Sequence, residues 1–272
     1  MALRSIDQLD VRGERVLVRE DLNVPMDGER VADFTRIDAA LPTLRWLHEH
    51  GARTIVLSHL GRPDGKADPK YSLRPIAEAL SERLKLPVAF ADDCVGPDAE
   101  RAAAALHDGD ILLLENVRFH AEEERDDPKF VAALARLGDA YVNDAFGTAH
   151  RAHASTEGLA HALPHAAGFL MENELDALRK LTDRPAKPFV CAIGGSKVAD
   201  KIGVFTHLIE LVDAFCVGGG MANTFLAAQG IDVGKSLRDG DLQPARDILA
   251  LAKQRNVALH LPSDAVVGTG LD

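Results

Sequence analysis

The sequence predicts an α/β protein: two doubly wound parallel-sheet domains joined by a hinge helix, the second domain incomplete. Three observations lead there. Short β-branched or Leu-rich runs alternate with stretches of helical periodicity. The runs are apolar throughout, as strands covered on both faces must be. The alternation pauses at Ala160–Leu170 and then restarts.

Taken in order, Val16–Arg19 reads as the first strand. Residues 36–50 place Ile37, Leu41, Leu44 and Leu47 at helical spacing, closed by Gly51 as a C-cap. Thr54–Leu57 is the second strand, and Ser72 opens a helix with Pro75 in its first turn and Ile76, Leu80 and Leu84 on one face. Further strands are expected at Val88–Phe90, Ile111–Leu114 and Ala140–Val142, with helices at Asp98–Leu106 and Asp127–Leu137. The acidic stretch Glu122–Asp127 reads as a solvated loop.

After the pause, Glu172–Leu181 reads as an amphipathic helix. Strand Phe189–Ile193, helix Lys201–Leu211, strand Ala214–Val217, helices Ala222–Ala228 and Pro244–Lys253, and strand Val257–Leu261 follow. The expected division is a first domain at 1–170, a hinge helix and linker at 171–187, and a partial second domain at 188–272. With about three strands, the second domain is small for a stable α/β unit, so the chain is expected to be a shortened version of a longer protein.

Lys and Arg number 31 against 42 Asp and Glu, a formal charge of −11, and aromatic residues make up only 5%. Such a chain is poorly suited to general nucleic-acid binding, which needs a basic surface to release counterions. No apolar run has the length of a membrane span and the start has no signal-peptide hydrophobic region, so a cytoplasmic protein is expected. The cysteines are Cys94, Cys191 and Cys216; with an odd count and no Cys-x-x-Cys, neither a disulfide framework nor a zinc ribbon is expected. Cys191 and Cys216 lie in apolar runs and read as buried small hydrophobes.

Ligands of parallel sheets bind beyond the carboxyl ends of the strands. The residues that follow the first-domain strands are Asp21 and Asn23, then His59 and Arg62, then Arg118, then His150, Arg151 and His153, while Arg36 opens the first helix. A single arginine there reads as a surface salt bridge. Four arginines arriving independently at one edge of an acidic protein point to a small anionic ligand, because the guanidinium fork matches phosphate and carboxylate. His150-x-x-His153 and His161-x-x-x-His165 lack a completing Cys or carboxylate, so no metal site is expected.

In the second domain GGSKVADK (194–201) lies between a strand and a helix, and GGGMANTF (218–225) repeats that geometry one strand later. Glycines there let backbone N–H groups approach a phosphate. Lys197 and Lys201, four apart, are expected to share one helix face. Neither string fits the P-loop or the dinucleotide fingerprint.

Taken together, REDLNVP (19–25), SHLGRPDG (58–65), ENVRF (115–119), NDAFGTAHRAHAS (143–155), GGSKVADKI (194–202) and VGGGMANTF (217–225) resemble the phosphoglycerate kinase family, in the family's order and across essentially the whole chain. The resemblance implies a monomeric, hinge-bending glycolytic phosphotransferase with a carboxyl acceptor. It would exchange a phosphoryl group between 1,3-bisphosphoglycerate and ADP, giving 3-phosphoglycerate and ATP, with Mg²⁺ carried on the nucleotide. It assigns the glycerate to the first domain through Asp21, Asn23, Arg36, His59, Arg62, Arg118 and Arg151. Arg62, Arg118 and Arg151 would hold the non-reacting phosphate. Arg36 and Lys197 would be catalytic, Lys201 would hold nucleotide phosphates, and Gly194, Gly195, Gly218, Gly219 and Gly220 would form part of the nucleotide cleft.

Glu20 departs from the family's usual apolar residue and is expected to face solvent. The family also continues through segments beyond residue 272. The alternative is a truncated, non-catalytic module that binds 3-phosphoglycerate or a similar anion. A nicotinamide-dependent dehydrogenase lacks its glycine fingerprint.

Overall fold

The computed structural model describes residues 4–183, 185–266 and 268. The chain divides into two compact units, with the boundary between Leu175 and Asp176.

The first unit begins with β1 (Arg15–Arg19), a small hairpin of β2 (Met26–Asp27) and β3 (Arg30–Val31), α1 (Thr35–Glu49) and β4 (Arg53–Leu57). It continues through α2 (Arg74–Leu84), β5 (Val88–Ala91), α3 (Pro97–Ala104), β6 (Ile111–Leu114), α4 (Pro128–Ala135) and β7 (Ala140–Asn143). Next come α5 (Leu159–Ala162), β8 (His165–Ala167) and α6 (Phe169–Thr182), within which the unit boundary falls. The sheet order is β5-β6-β4-β1-β7-β8, and every neighbouring pair is parallel. The chain lays β4, β6 and β5 on one side of β1 and β7 and β8 on the other. The sheet therefore switches direction beside β1, where the loops after β1, β4 and β7 open together.

Alternation along the strands builds a core on each face. Val16 and Val18 of β1, with Ile111 and Leu113 of β6, meet Ile37, Leu44 and Leu47 of α1 and Ile76 and Leu80 of α2. Leu17, Leu112, Leu114 and Tyr141 point the other way, against Ala99 and Ala103 of α3 and Phe130 and Leu134 of α4. This is the two-sided cover that the apolar runs predict.

The structure departs from the sequence reading where tertiary contacts decide. The pause at 160–170 holds α5 and β8, whose His-Ala-Ala sequence has little strand propensity of its own and is held by parallel pairing with β7. Helix α6 starts three residues earlier than Glu172, because its first amides are capped from a distance. Thr43 Oγ1 accepts from Phe169 N at 3.0 Å, and Asp144 Oδ1 accepts from Met171 N at 2.9 Å. Glu20 does not face solvent: it is fully buried between Arg19 and Asp21 at the end of β1. Nor is Glu122–Asp127 only a solvated loop, since Glu123 is fully buried and Asp127 caps α4 through Lys129 N at 2.9 Å.

The second unit carries β9 (Val190–Gly194), α7 (Ile202–Leu208), β10 (Ala214–Gly218), α8 (Gly219–Ala228), α9 (Gln243–Gln254) and β11 (Ala258–His260). Its parallel sheet has the order β11-β10-β9. Phe205 of α7, Met221 and Phe225 of α8, and Ala245 and Ile248 of α9 all gather with Phe215 and Val217 into one core. Among the described residues no helix joins a core on the opposite face, where Val190 is 51% exposed. This corrects the expectation for the cysteines. Cys216 lies between Phe215 and Val217, so the strand period turns it to the uncovered face and leaves it exposed, while Cys191 is only half-buried. All three cysteines are free, and Cys94 is the buried one. Among the described residues no helix is long and apolar enough to cross a membrane.

Candidate functional site

At the carboxyl edge of the first sheet, the loops after β1, β4 and β6 are stitched to one another by buried polar groups. Ser58 Oγ accepts from Leu22 N at 2.9 Å and donates to the Glu20 carbonyl at 2.9 Å. Asn23 Oδ1 accepts from Gly61 N at 2.8 Å, so this predicted ligand residue also clamps the 58–65 loop. Asn116 Nδ2 donates to Leu60 O and Tyr71 O, and its Oδ1 accepts from Arg118 N at 3.0 Å. The Glu115 carboxylate takes Leu73 N, Asn116 N and Ser72 Oγ at 2.8, 2.7 and 2.6 Å. Each acceptor replaces water that the loop backbone loses on folding.

That frame fixes the arginines. Arg118 is 6% exposed; its Nη1 donates to Gly61 O at 3.0 Å and its Nε lies 3.2 Å from the exposed Glu124 carboxylate. Burial, followed by the nearby Arg151 and Arg19 charges, lowers Arg118 from the ordinary arginine value, against the pull of Glu124. Arg62 and Arg118 line one pocket of about 280 Å³ with Asp64, His120 and Glu124. Arg36, exposed at the start of α1, pairs with the Asp21 carboxylate. Gly147, in the loop after β7, lies so close that an added Cβ would sit 2.6 Å from Asp21 Oδ2.

His59 reads out the convergence. It is buried, and its pKa falls to about 2 through desolvation first and then the charges of Arg19, Arg118, Arg151 and Arg36. Arginines from four separate elements therefore act on one imidazole. His153 is also lowered, by burial against the opposing pull of Glu123, whereas His150 is exposed.

The sequence reading missed the residues beneath this rim. Arg19 is 1% exposed and donates through Nε to Ser155 Oγ at 2.8 Å and through Nη2 to His59 Nδ1 at 3.0 Å. Ser155 donates from Oγ to Glu123 Oε1 at 2.6 Å, its N–H donates to Glu123 Oε2 at 2.9 Å, and its carbonyl accepts from Tyr141 at 2.8 Å. Ser155 lies in a π-helical turn, Ala154–Gly158, an irregularity that aims its hydroxyl inward. The one available signal was Arg19 itself, a charge ending an apolar strand.

In the second unit the two glycine turns abut. Gly219 adopts φ +65°, and a Cβ there would lie 3.1 Å from Gly195 O; one on Gly220 would lie 3.0 Å from Ser196 O. Helix α8 starts at Gly219, three residues before the expected Ala222, so its first N–H groups belong to these glycines. Met221 N donates to Gly195 O at 3.0 Å, tying Gly194 and Gly195 to Gly218–Gly220. Beside them, Gly194, Gly218, Ala192, Cys216, His260 and Pro262 line an open, largely apolar pocket of about 510 Å³. Lys197 and Lys201 are both exposed but do not share a helix face. Lys197 precedes a 3-10 turn at Ala199–Lys201, whose leading amides are capped by Asp239 Oδ2 (Val198 N at 2.8 Å, Ala199 N at 3.3 Å), and α7 begins only at Ile202.

Among the described residues, one group has the geometry to hold a metal ion: Asp93, Cys94 and His120. The 2.7 Å contact of His120 Nε2 with Asp93 Oδ1 accounts for it as an ion pair.

The fold and these sites define a parallel α/β protein with a rim of arginines at the strand ends of one unit and abutting glycine turns at the strand ends of the other. The family model for phosphoglycerate kinase matches residues 6–272, and the chain belongs to the phosphoglycerate kinase family. It is 57% identical over 265 residues to the phosphoglycerate kinase of Bradyrhizobium diazoefficiens, covering 97% of this chain and 66% of that protein. It is also 57% identical to that of Methylorubrum populi, covering 94% of this chain and 64% of the relative. The structure of phosphoglycerate kinase from Coxiella burnetii superposes with a TM-score of 0.87 at 41% identity, over 96% of this chain and 66% of the other. The chain thus spans just under two thirds of the length of these relatives.

Proposed function

We propose that the chain contributes to reversible phosphoryl transfer between 1,3-bisphosphoglycerate and ADP, giving 3-phosphoglycerate and ATP, with the first unit binding the glycerate and the second the nucleotide. The single observation that carries this reading is the arginine rim at the carboxyl edge of the first sheet, where Arg62 and Arg118 line one pocket and Arg36 pairs with Asp21. The divisions 1–170, 171–187 and 188–272, a hinge motion in the helical segment, a monomeric state and a cytoplasmic location belong to the same reading.

In the ATP-consuming direction the nucleophile is a carboxylate, ionised at neutral pH, so no general base is required. The difficulty lies in bringing two anions together and stabilising charge on the transferring group. Arg36 takes that role; its exposed guanidinium, paired with Asp21, supports the reading. Arg62, Arg118 and Arg151 hold the remote phosphate, so binding energy away from the chemistry orients the acid. The close approach of the glycine turns, which a Cβ would block, leaves bare backbone at the α8 N-terminus to receive nucleotide phosphates, with Lys197 and Lys201 supplying charge. Mg²⁺ arrives on the nucleotide and neutralises its phosphates.

Calorimetric titration of the chain with 3-phosphoglycerate tests the first half. Arg118→Ala is expected to weaken binding about 10-fold to 100-fold, the range for loss of a charge-assisted contact. Unchanged affinity in that variant, or no binding by the parent chain, would refute the assignment. In a coupled assay of a full-length relative carrying this segment, Arg36→Ala is expected to cut turnover far more than nucleotide affinity.

A further inference from the structure

We propose that Arg19 is a positioning residue: it locks His59 as the neutral Nε2–H tautomer, so that the imidazole offers an uncharged hydrogen-bond donor to the anionic ligand of the arginine rim. The inference rests on the reading of that rim as a glycerate-phosphate site.

The argument is one of donor and acceptor capacity. A guanidinium has five N–H groups, no acceptor, and does not deprotonate in proteins. Arg19 Nη2 lies 3.0 Å from His59 Nδ1, and both side chains are buried. The only hydrogen bond that fits runs from Arg19 to a lone pair on Nδ1. Nδ1 therefore carries no proton, and in a neutral ring the proton sits on Nε2. Among the described residues Nε2 has no hydrogen-bond partner, while His59 keeps 4% of its surface, which leaves that N–H for a ligand.

Arg19 is itself immobilised at every donor group. Its Nε goes to Ser155 Oγ at 2.8 Å, Ser155 is fixed by the buried Glu123, and Nη1 donates to the Glu20 carbonyl. Rotating the guanidinium away from His59 would orphan three contacts in a site closed to water. The charged groups acting on His59 are Arg19, Arg118, Arg151 and Arg36, all cationic, so imidazolium is opposed from every side. A neutral donor at this point completes the grip on an anion without adding a charge that the crowded arginines would repel.

Long-range ¹H–¹⁵N correlation spectra of the whole 272-residue chain, labelled at histidine, read the tautomer directly. The expected result is a protonated Nε2 and an unprotonated Nδ1 for His59, unchanged between pH 5 and 8, with the Nε2 resonance moving on addition of 3-phosphoglycerate. In Arg19→Gln the ring is expected to become a tautomer mixture that titrates with pH, and 3-phosphoglycerate affinity to fall about 5-fold to 10-fold, the loss of one hydrogen bond. Should that variant fail to fold, Ser155→Ala removes the Nε anchor while keeping Arg19, and a smaller shift of the same sign is expected. A protonated Nδ1, an imidazolium signal near pH 6, or a tautomer indifferent to both substitutions would overturn the lock. If the tautomer is as stated but 3-phosphoglycerate does not bind, the lock stands and the reading of the rim fails.

Discussion

Replacing Glu20 by leucine is expected to stabilise the first unit, and the gain should grow with pH. The side chain has no exposed surface, and neither carboxylate oxygen has a hydrogen-bond partner. Burial is the main cause that raises its pKa well above the ordinary value; the neighbouring Asp144 adds to it, while Arg19 opposes it. Asp144 is also raised by burial, and its Oδ2 is unpartnered. The two carboxyls thus make a buried pair that cannot easily both ionise.

A buried polar group without a partner costs about 1–3 kcal/mol, and leucine of similar size removes that cost. In the folded chain Glu20 keeps a proton that the unfolded chain releases above about pH 4.5. Folded stability from this group is thus complete below that pH and is lost as pH rises towards the raised folded value, by up to about 1.4 kcal/mol per pH unit. The advantage of Glu20→Leu should be about 1–3 kcal/mol near pH 4.5, a rise of roughly 2–12 °C in melting temperature, and should grow further as pH rises above that value. The assay is urea unfolding at stepped pH, followed by fluorescence of Trp46, the one tryptophan of the chain, which stacks on His50 in the first unit. A stability difference that is flat with pH, or a loss of stability in the leucine variant at pH 8, would mean that the carboxylate has found a counter-charge, and the reasoning would be wrong.

Three further outcomes follow from the geometry. Gly147→Ala would place a Cβ 2.6 Å from Asp21 Oδ2, displacing the carboxylate that holds Arg36; a loss of no more than about 1 kcal/mol in stability and weaker 3-phosphoglycerate binding are expected by denaturation and calorimetry. Gly219→Ala must adopt φ +65° within 3.1 Å of Gly195 O, so about 1–2 kcal/mol should be lost, and ADP binding with it, while 3-phosphoglycerate affinity stays unchanged. Asp93→Asn removes the partner whose hydrogen bond raises the pKa of His120. Because that stabilisation is complete below about pH 6.5 and is lost as pH rises through the raised value, the cost should be larger at pH 6 than at pH 9. It should stay under about 1 kcal/mol, since Asp93 is 48% exposed.

What the sequence could say about this molecule depended on whether the determinant was local. Apolar runs such as Ile111–Leu114 carry their own fate, and the strand there begins and ends where the pattern does. The positions of Arg118 and Arg36 at the sheet edge were legible because one follows an apolar strand and the other opens the next helix. The failures share one cause, a partner distant in sequence. β8 needs β7, and α6 begins where Thr43 and Asp144 allow. Glu123 is buried because Ser155 waits for it. Cys216 is exposed because no described helix covers its side of the sheet. Local composition holds no trace of such pairings, so a polar residue beside an apolar run reads as solvated when it is in fact enclosed.

The polar residues of the first unit form two tiers, and the division explains how an acidic chain can present a cationic pocket. The lower tier, Arg19, Ser155, Glu123, Glu115 and Asn116, is buried and spends its hydrogen bonds on loops from β1, β4, β6 and β7. The upper tier is held by groups a ligand can displace. Arg118 faces Glu124, whose side chain is 54% exposed, and Arg36 meets Asp21 while remaining 48% exposed itself. On the function proposed above, an arriving phosphate would compete with the solvent-weakened Arg36–Asp21 and Arg118–Glu124 pairs, worth at most about 1 kcal/mol each, and leave the buried frame intact. With the frame already built, little ordering would remain to be done on binding, and the arginines' attraction for such a ligand would appear as affinity. Removing the exposed Arg36 should accordingly shift the dissociation constant without shifting melting temperature, while changes in the lower tier, and loss of the buried Arg118 with its bond to Gly61 O, should shift both.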